Sequence, residues 1–164
     1  MELLMAQGSG FSAWLIRVFT KSPYSHSAIR FEGCESNKIL HSTIGGVQIS
    51  TFDYINEHYT GILRFKVKCP EARDAALVIE SKYLGFEYDY MSFIGIGLAI
   101  IFKLKKNPIA QKKTLMCTEV PANWLNHIQS MNPAYNIPYL DPELLTPVSL
   151  KEFCESRPDL FEAL

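Results

Sequence analysis

Short apolar runs bounded by Gly, Pro, Ser and Lys residues dominate the first part of the chain, and such runs are typical of β-strands. They predict strands over residues 2–6, 25–31, 39–44 and 61–68. The pair Gly45-Gly46 allows a bend, after which residues 47–49 continue as extended chain.

Helical spacing of apolar residues is clearest at residues 11–19, where Phe11, Trp14, Leu15, Val18 and Phe19 recur with the period of a helix. Further helices are predicted over residues 71–83, 90–102, 117–128 and 149–155. Because the strands cluster early and the helices late, we expect an α+β fold rather than a parallel doubly wound sheet.

The length and composition indicate one globular domain. The chain has 164 residues, of which 48% are hydrophobic and 20% charged, so residues 1–164 are expected to form a single domain with a buried core. The formal net charge of -1 disfavours a nucleic-acid partner. The apolar segment 91–102 is shorter than the roughly 20 residues of a membrane span, so no stable membrane insertion is expected. A buried helix is the preferred interpretation, and an acyl-chain pocket or an interfacial contact is the alternative.

The cysteines are far apart in the sequence and form no Cys-X-X-Cys pair; they are Cys34, Cys69, Cys117 and Cys154. This pattern gives little support to a metal site, and no cofactor is expected. A chain of this size needs no disulfide framework, and the N-terminus does not resemble a cleavable signal. We therefore expect free thiols in a reducing, cytoplasmic compartment.

Cys117 differs from the other cysteines because it lies at a predicted helix start. Thr118 is a plausible N-cap, Glu119 favours a first turn, and Pro121 fits only within that turn. Unpaired backbone N–H groups and the helix dipole stabilise a thiolate at such a position, and the thiolate is the nucleophilic form of cysteine. We interpret Cys117 as a candidate nucleophile and the other cysteines as small buried hydrophobic residues.

Two histidines lie in predicted strands that precede this thiol. Alternation along a strand places His26 on the face opposite Ile29, and His41 on the face opposite Leu40. If both apolar faces belong to one side of an antiparallel hairpin, the two histidines project together from the other side. A general base and the residue that orients it need this arrangement. Ile39 falls on the histidine side, so the pattern supports the pairing without requiring it, and two unrelated histidine positions are the alternative.

Short motifs follow one another in a characteristic order: residues 8–29 around His26, residues 39–47 around His41, residues 86–93 with Tyr88-Asp89, Cys117-Thr118-Glu119-Val120, and residues 145–150. In this order they resemble the permuted NlpC/P60 superfamily, the YiiX-like and lecithin:retinol acyltransferase-related thiol enzymes. The resemblance covers nearly the whole chain, and its Cys-Thr-Glu segment is similar to the Cys-Ser-Glu nucleophile motif of that superfamily.

The resemblance implies a circularly permuted papain-like α+β fold, in which a small antiparallel sheet or barrel packs against helices. It implies Cys117 as nucleophile, His26 as general base and acid, and His41 as the residue that orients His26. A backbone N–H group at Cys117 would then help to hold the oxyanion.

The function that the resemblance favours is a thiol hydrolase, an amidase or peptidase, acting on a peptide or cell-wall-type substrate through an acyl-enzyme. Tyr24, Tyr88 and Asp89 are the candidate substrate contacts. The Asn-Cys-Glu-His-Phe pattern of the acyltransferase branch is absent, which favours hydrolysis. A lipid-directed acyltransferase or thioesterase with an acyl substrate is the alternative enzyme, and a catalytically inactive binding module is the alternative outside enzymes. The substrate and the oligomeric state stay open.

Overall fold

The structure is a computed structural model, and it describes residues 1–33, 37–89, 95, 98, 102–104, 106, 108–109 and 114–164. Within these residues the elements follow in this order: β1 (Glu2–Gly8), α1 (Phe11–Thr20), β2 (His26–Arg30), β3 (Lys38–Thr43), β4 (Gly46–Thr51), α2 (Phe52–His58), β5 (Tyr59–Val67), α3 (Ala72–Tyr83), β6 (Glu87–Tyr88), β7 (Thr114–Leu115), α4 (Glu119–Met131), a 3₁₀ turn (Pro133–Tyr135), α5 (Pro147–Ser156) and β8 (Phe161–Ala163).

One antiparallel sheet forms the centre of the fold, with the strand order β4-β3-β2-β1-β5-β8. The α+β fold with an antiparallel sheet that the sequence predicts is confirmed. Of the two expected forms, a sheet or a barrel, the described residues form an open sheet. The short strands β6 and β7 pair separately and in parallel.

The two faces of the sheet bury different amounts of apolar surface. On one face, strand residues such as Leu3, Ile29 and Leu40 join the large core, to which α4 contributes the fully buried Trp124 and Leu125. The other face carries a smaller cluster of buried residues, which are Leu4, Ala28, Ile39 and Ile55. Ile55 belongs to α2, so this short helix covers the sheet face that also carries the histidines.

Helix α2 was not predicted from the sequence, and its local chemistry explains why it forms. The Thr51 side chain accepts a hydrogen bond from the Tyr54 N–H, which caps the first turn. The helix spans seven residues and buries only Ile55, so it has too few apolar positions to give a periodic signal.

A bend at Gly46 joins β4 to the chain around β6. Gly46 has φ of 92°, and a Cβ atom there would lie 2.3 Å from the Phe86 carbonyl oxygen. That close approach allows the Val47 N–H to donate to Phe86 at 2.8 Å and the Gly85 N–H to donate to Val47 at 2.9 Å. These bonds hold the start of β6, and therefore Tyr88, beside the central sheet.

The helix predicted over residues 90–102, and with it the apolar segment 91–102, falls mostly outside the described residues. In the part of the chain that is described, no helix combines the length and apolarity that crossing a bilayer requires. Cys69, Cys117 and Cys154 are buried free thiols, and Cys34 lies outside the described residues.

Candidate active site

His26 and His41 lie next to each other on one face of the sheet. Strand β2 pairs with β3 so that Ala28 is opposite His41, and His26 projects from the same face because it is two residues from Ala28. Nε2 of His26 lies 3.0 Å from Nδ1 of His41, and the two rings meet edge to face. Both side chains are buried. The structure therefore brings together the two histidines that strand alternation paired.

Two serines hold the backbone segment that carries the thiol. Ala28 and His41 form the last pair between β2 and β3. Just beyond this pair lie two fully buried serines, Ser27 in β2 and Ser42 in β3. The Ser27 hydroxyl donates to the carbonyl oxygen of Cys117 at 3.0 Å, and the Ser42 hydroxyl donates to that of Leu115 at 2.6 Å. These bonds fix the chain on both sides of Met116, so β2 and β3 position the thiol as well as the histidines.

The sulfur of Cys117 lies beside the backbone from which the His26 ring projects. Its Sγ is 3.8 Å from the carbonyl oxygen of Ser25, the residue before His26. Nε2 of His26 is engaged with His41, and Nδ1 is the ring nitrogen nearer to the histidine's own backbone. Nδ1 is therefore the His26 ring nitrogen that is not bonded to His41; among the described residues, no hydrogen bond joins it to the Cys117 sulfur.

Burial keeps the thiol and both imidazoles neutral near pH 7. Burial, with a smaller effect of the neighbouring His41, lowers the pKa of His26 well below its usual value. Burial also lowers the pKa of His41 to about 4 and raises the pKa of Cys117 to about 11. Backbone N–H groups of Ser27, Thr118 and Cys117 itself oppose that rise. The resting site therefore holds a thiol and a neutral imidazole rather than a preformed thiolate–imidazolium pair.

The contact between the two histidines determines which tautomers can work as a base. If Nε2–H of His26 donates to Nδ1 of His41, the His26 Nδ1 carries a lone pair that can accept the thiol proton. His41 then carries its own proton on Nε2, a buried atom that has no hydrogen-bond partner among the described residues. The opposite assignment would protonate Nδ1 of His26, and neither ring nitrogen of His26 could then accept the thiol proton.

Glu119 is the first residue of α4, and its side chain bonds to Met116, the residue before Cys117. Its side chain is buried and accepts a hydrogen bond from the Met116 N–H at 2.6 Å. Burial raises the pKa of Glu119 to about 8, and the nearby Asp89 carboxylate adds to that rise. The helix begins at Glu119, two residues later than the sequence predicts, and the Thr118 side chain makes no capping bond. The Glu119 carboxyl group instead closes this turn, and Pro121 lies in the first turn of the helix, where a proline fits.

Two cavities lie on either side of the candidate residues. The larger, which we call the histidine-side cavity, has a volume of about 480 Å³, and its walls include His26, Ser25, Gln48 and Tyr59. The smaller, which we call the thiol-side slot, has a volume of about 20 Å³ and is bounded by residues that include Cys117. Ile16 and Tyr88 line both spaces, so the thiol and the histidine ring are reached from adjoining cavities.

Aromatic rings from α2 and the start of β5 form one wall of the histidine-side cavity. Tyr59 stacks on His26 with ring centroids 4.5 Å apart, and Tyr54 meets His41 edge to face at 5.9 Å. His58 stacks in turn on Tyr54. Burial, with a further effect of Cys117, raises the pKa of Tyr59 above its usual range, so its hydroxyl stays a proton donor. Sequence reasoning missed these residues, and the only available signal was the clustering of aromatic and histidine residues between positions 54 and 59.

The three candidate substrate contacts, Tyr24, Tyr88 and Asp89, lie in different surroundings. Tyr88 lines both cavities and is well positioned to touch a substrate. Tyr24 packs against the large core and is not among the described residues that line either space. Asp89 is buried and accepts a hydrogen bond from the Thr114 hydroxyl at 2.7 Å, so it supports β7 from behind the site.

Comparison with known proteins identifies the fold. No protein-family profile matches the sequence, and no curated protein matches it. Among solved structures, the chain is similar to metalloprotein yiiX from Escherichia coli O157:H7, with 16% identity and a TM-score of 0.61 over 99% of this chain and 86% of that one. The chain therefore has the fold of yiiX, and a YiiX-like fold is what the sequence motifs predicted. The neighbour is titled a metalloprotein; in this chain, the described residues contain no group of three or more His, Cys, Asp or Glu side chains able to hold a metal ion.

Proposed function

We propose that this papain-like chain is a thiol hydrolase in which Cys117 is the nucleophile, His26 the general base and acid, and His41 the residue that orients His26. One observation carries the proposal. The His26 and His41 imidazoles form a buried pair, and the Cys117 sulfur lies 3.8 Å from the carbonyl oxygen of Ser25, the residue next to His26. A nucleophile, a base and a group that fixes the base are the minimum set for acyl transfer.

In the acylation step, the Cys117 sulfur attacks the carbonyl carbon of an amide or ester, and the thiol proton passes to Nδ1 of His26. The carbonyl electrons move to oxygen, and in this proposal the backbone N–H groups at the start of α4 stabilise that charge. When the tetrahedral intermediate collapses, the bond to the leaving group breaks, and the leaving group takes the proton from His26. The products of this step are a thioester on Cys117 and the protonated leaving group.

In the deacylation step, water attacks the thioester carbonyl and gives one proton to His26. The carbon–sulfur bond breaks, the acid product departs, and His26 returns the proton to the sulfur. His41 accepts a hydrogen bond from Nε2–H of His26 throughout, and it thereby stabilises the imidazolium that forms in each step.

Intact-protein mass spectrometry with an activated ester tests the proposal directly. Wild-type protein should gain one acyl group that maps to Cys117, and Cys117→Ala should lose both the adduct and turnover. His26→Ala should keep the thiol and reduce the rate of acylation by about 10²–10⁴-fold, which is the usual contribution of a general base.

Cys154→Ala is the matched control, because Cys154 is also a buried free thiol but lies in α5 and lines neither cavity among the described residues. This variant should keep both the adduct and turnover. Unchanged turnover in Cys117→Ala, or an adduct that maps to another residue, would contradict the proposal and favour a non-catalytic binding module.

A second candidate is acyl transfer or thioester cleavage on a lipid substrate with the same residues. It is favoured by the outer face of α1, where exposed apolar side chains lie next to cavity-lining residues of the same helix. Phe11 is 73% exposed and Val18 is 52% exposed, whereas Ala13 and Ile16 line the histidine-side cavity. Faster turnover of acyl esters presented in vesicles than of the same esters in solution would support this candidate.

A further inference from the structure

The thiol and the base of the proposed hydrolase open into different spaces. His26 lines the histidine-side cavity of about 480 Å³, and Cys117 lines the thiol-side slot of about 20 Å³. Ile16 and Tyr88 form the boundary because they line both. A substrate whose carbonyl carbon is attacked by Cys117 must therefore place its two ends on opposite sides of this boundary.

The reaction chemistry determines which cavity receives the leaving group and which receives the acyl substituent. The imidazole that takes the thiol proton must later deliver it to the leaving group, so the leaving group lies on the side of His26. The acyl substituent is attached to the same carbonyl carbon and points away from the leaving group. It therefore enters the space on the sulfur side, which is the thiol-side slot.

The size and lining of the slot limit the acyl group. A volume of about 20 Å³ has room for about one water-sized group. Its walls are mostly apolar and include Met116, Leu145 and Pro147, all three of which are buried. A methyl group fits such a space, whereas a longer chain would have to displace the side chains that line the slot or extend out of it.

The opposite cavity differs in both size and chemistry. Among the described residues that line it, none is Asp, Glu, Lys or Arg, and its polar groups are hydroxyl, amide and imidazole groups on residues such as Thr43, Gln48 and Tyr54. An ionic group would find no opposite charge in this lining and would lose solvation. The lining suits an uncharged leaving group with aromatic or hydrogen-bonding parts.

We infer that the enzyme removes short, acetyl-sized acyl groups from larger, uncharged leaving groups that occupy the histidine-side cavity. This inference rests on the proposed function, since the assignment of the two ends depends on Cys117 as nucleophile and His26 as acid.

Kinetics with p-nitrophenyl acetate, butyrate and octanoate test the acyl side, because the leaving group is constant in this series. The value of kcat/KM should fall from acetate to octanoate by about tenfold or more, since one methylene in an apolar pocket changes kcat/KM by about that factor. Leu145→Ala removes the branched end of this side chain, enlarges the slot and should raise kcat/KM for butyrate relative to acetate by about tenfold. Leu145→Val removes less packing and should shift the preference part of the way, which keeps the test valid if the alanine variant unfolds.

Ile44→Ala is the matched control, because Ile44 lines only the histidine-side cavity and is 73% exposed. This variant should keep the wild-type preference for acetate. On the leaving-group side, 4-acetoxybenzamide should be hydrolysed faster than 4-acetoxybenzoate by more than the ratio of their uncatalysed rates, because the two leaving groups differ in acidity as well as in charge.

The outcomes separate this inference from the proposed function. If Cys117 is acylated but octanoate is preferred, or if Leu145 variants leave the chain-length preference unchanged while Ile44→Ala alters it, the inference is wrong and the hydrolase survives. If no ester acylates Cys117, the proposed function fails and the inference fails with it.

Discussion

Replacing Glu119 by Gln should make the protein more stable at alkaline pH while leaving its fold intact. Glu119 is only 4% exposed, and its carboxyl oxygen accepts the Met116 N–H at 2.6 Å. A glutamine has almost the same shape and offers an amide oxygen to the same donor. The substitution therefore removes the titration of this group and keeps its hydrogen bond.

The magnitude and sign follow from linkage between protonation and folding. Burial raises the pKa of Glu119 from its ordinary 4.5 to about 8, so the folded state prefers the neutral acid. The contribution of Glu119 to the free energy of unfolding is therefore fully present below pH 4.5 and is lost as pH rises to 8. At about 1.4 kcal/mol for each pKa unit, the loss approaches 5 kcal/mol. Glu119→Gln has no such loss, so it should match wild type near pH 4.5 and exceed it by a few kcal/mol at pH 9.

Urea unfolding of both proteins between pH 4.5 and 9 measures this difference, with the fluorescence of the fully buried Trp124 as the probe. Glu119→Ala separates the two roles of the side chain. It also lacks the titration, but it leaves the Met116 N–H without its partner, and it should be about 1–3 kcal/mol less stable than the glutamine variant throughout. The reasoning would be refuted if the difference in free energy of unfolding between Glu119→Gln and wild type did not change with pH. It would also be refuted if wild type became the more stable of the two as pH rises.

Three further predictions concern the thiol and its supports. Because burial raises the pKa of Cys117 to about 11, its alkylation by iodoacetamide should accelerate continuously above pH 9, and a plateau between pH 5 and 7 would instead indicate a preformed ion pair. Ser27→Ala and Ser42→Ala each remove a hydroxyl that donates to a backbone carbonyl oxygen, of Cys117 and of Leu115 respectively. Each variant should lower the free energy of unfolding in urea by about 1–3 kcal/mol and reduce kcat more than KM. Equal stability of variant and wild type would show that these bonds do not hold the segment around Met116. A Cβ at Gly46 would lie 2.3 Å from the Phe86 carbonyl oxygen, whereas a Cβ at Gly85 would meet open space, and both glycines have positive φ. Gly46→Ala should therefore lower the free energy of unfolding in urea more than Gly85→Ala does. The reverse order would show that β6 is not held as described.

The sequence was sufficient for those parts of the site that depend on local periodicity. Strand alternation put His26 and His41 on a common face, and Pro121 with Glu119 indicated a helix start near Cys117; these features are set within a few residues along the chain. The order of the motifs also predicted the YiiX-like fold, which structural similarity to yiiX confirms.

What the sequence could not supply are contacts across long chain separations. The bond from the Ser27 hydroxyl to Cys117 spans 90 residues, and that from Ser42 to Leu115 spans 73. Serines in strands give no signal of such a partner. The stacking of Tyr59 on His26 was also missed. Tyr59 directly follows α2, and this helix is too short to give a periodic signal in the sequence.

In the proposed mechanism, the neutrality of the resting thiol and imidazoles determines when the thiolate nucleophile forms. Moving the thiol proton to His26 creates two charges in a buried place, and burial opposes both of them. The sulfur then has the backbone N–H groups of Ser27 and Thr118, and the imidazolium has Nδ1 of His41, which is itself neutral because its pKa is about 4. A neutral orienting residue stabilises the imidazolium less than a carboxylate would, but it adds no third buried charge. Proton transfer is therefore expected to accompany attack on a bound carbonyl, where the negative charge passes at once from sulfur to the oxygen facing the start of α4.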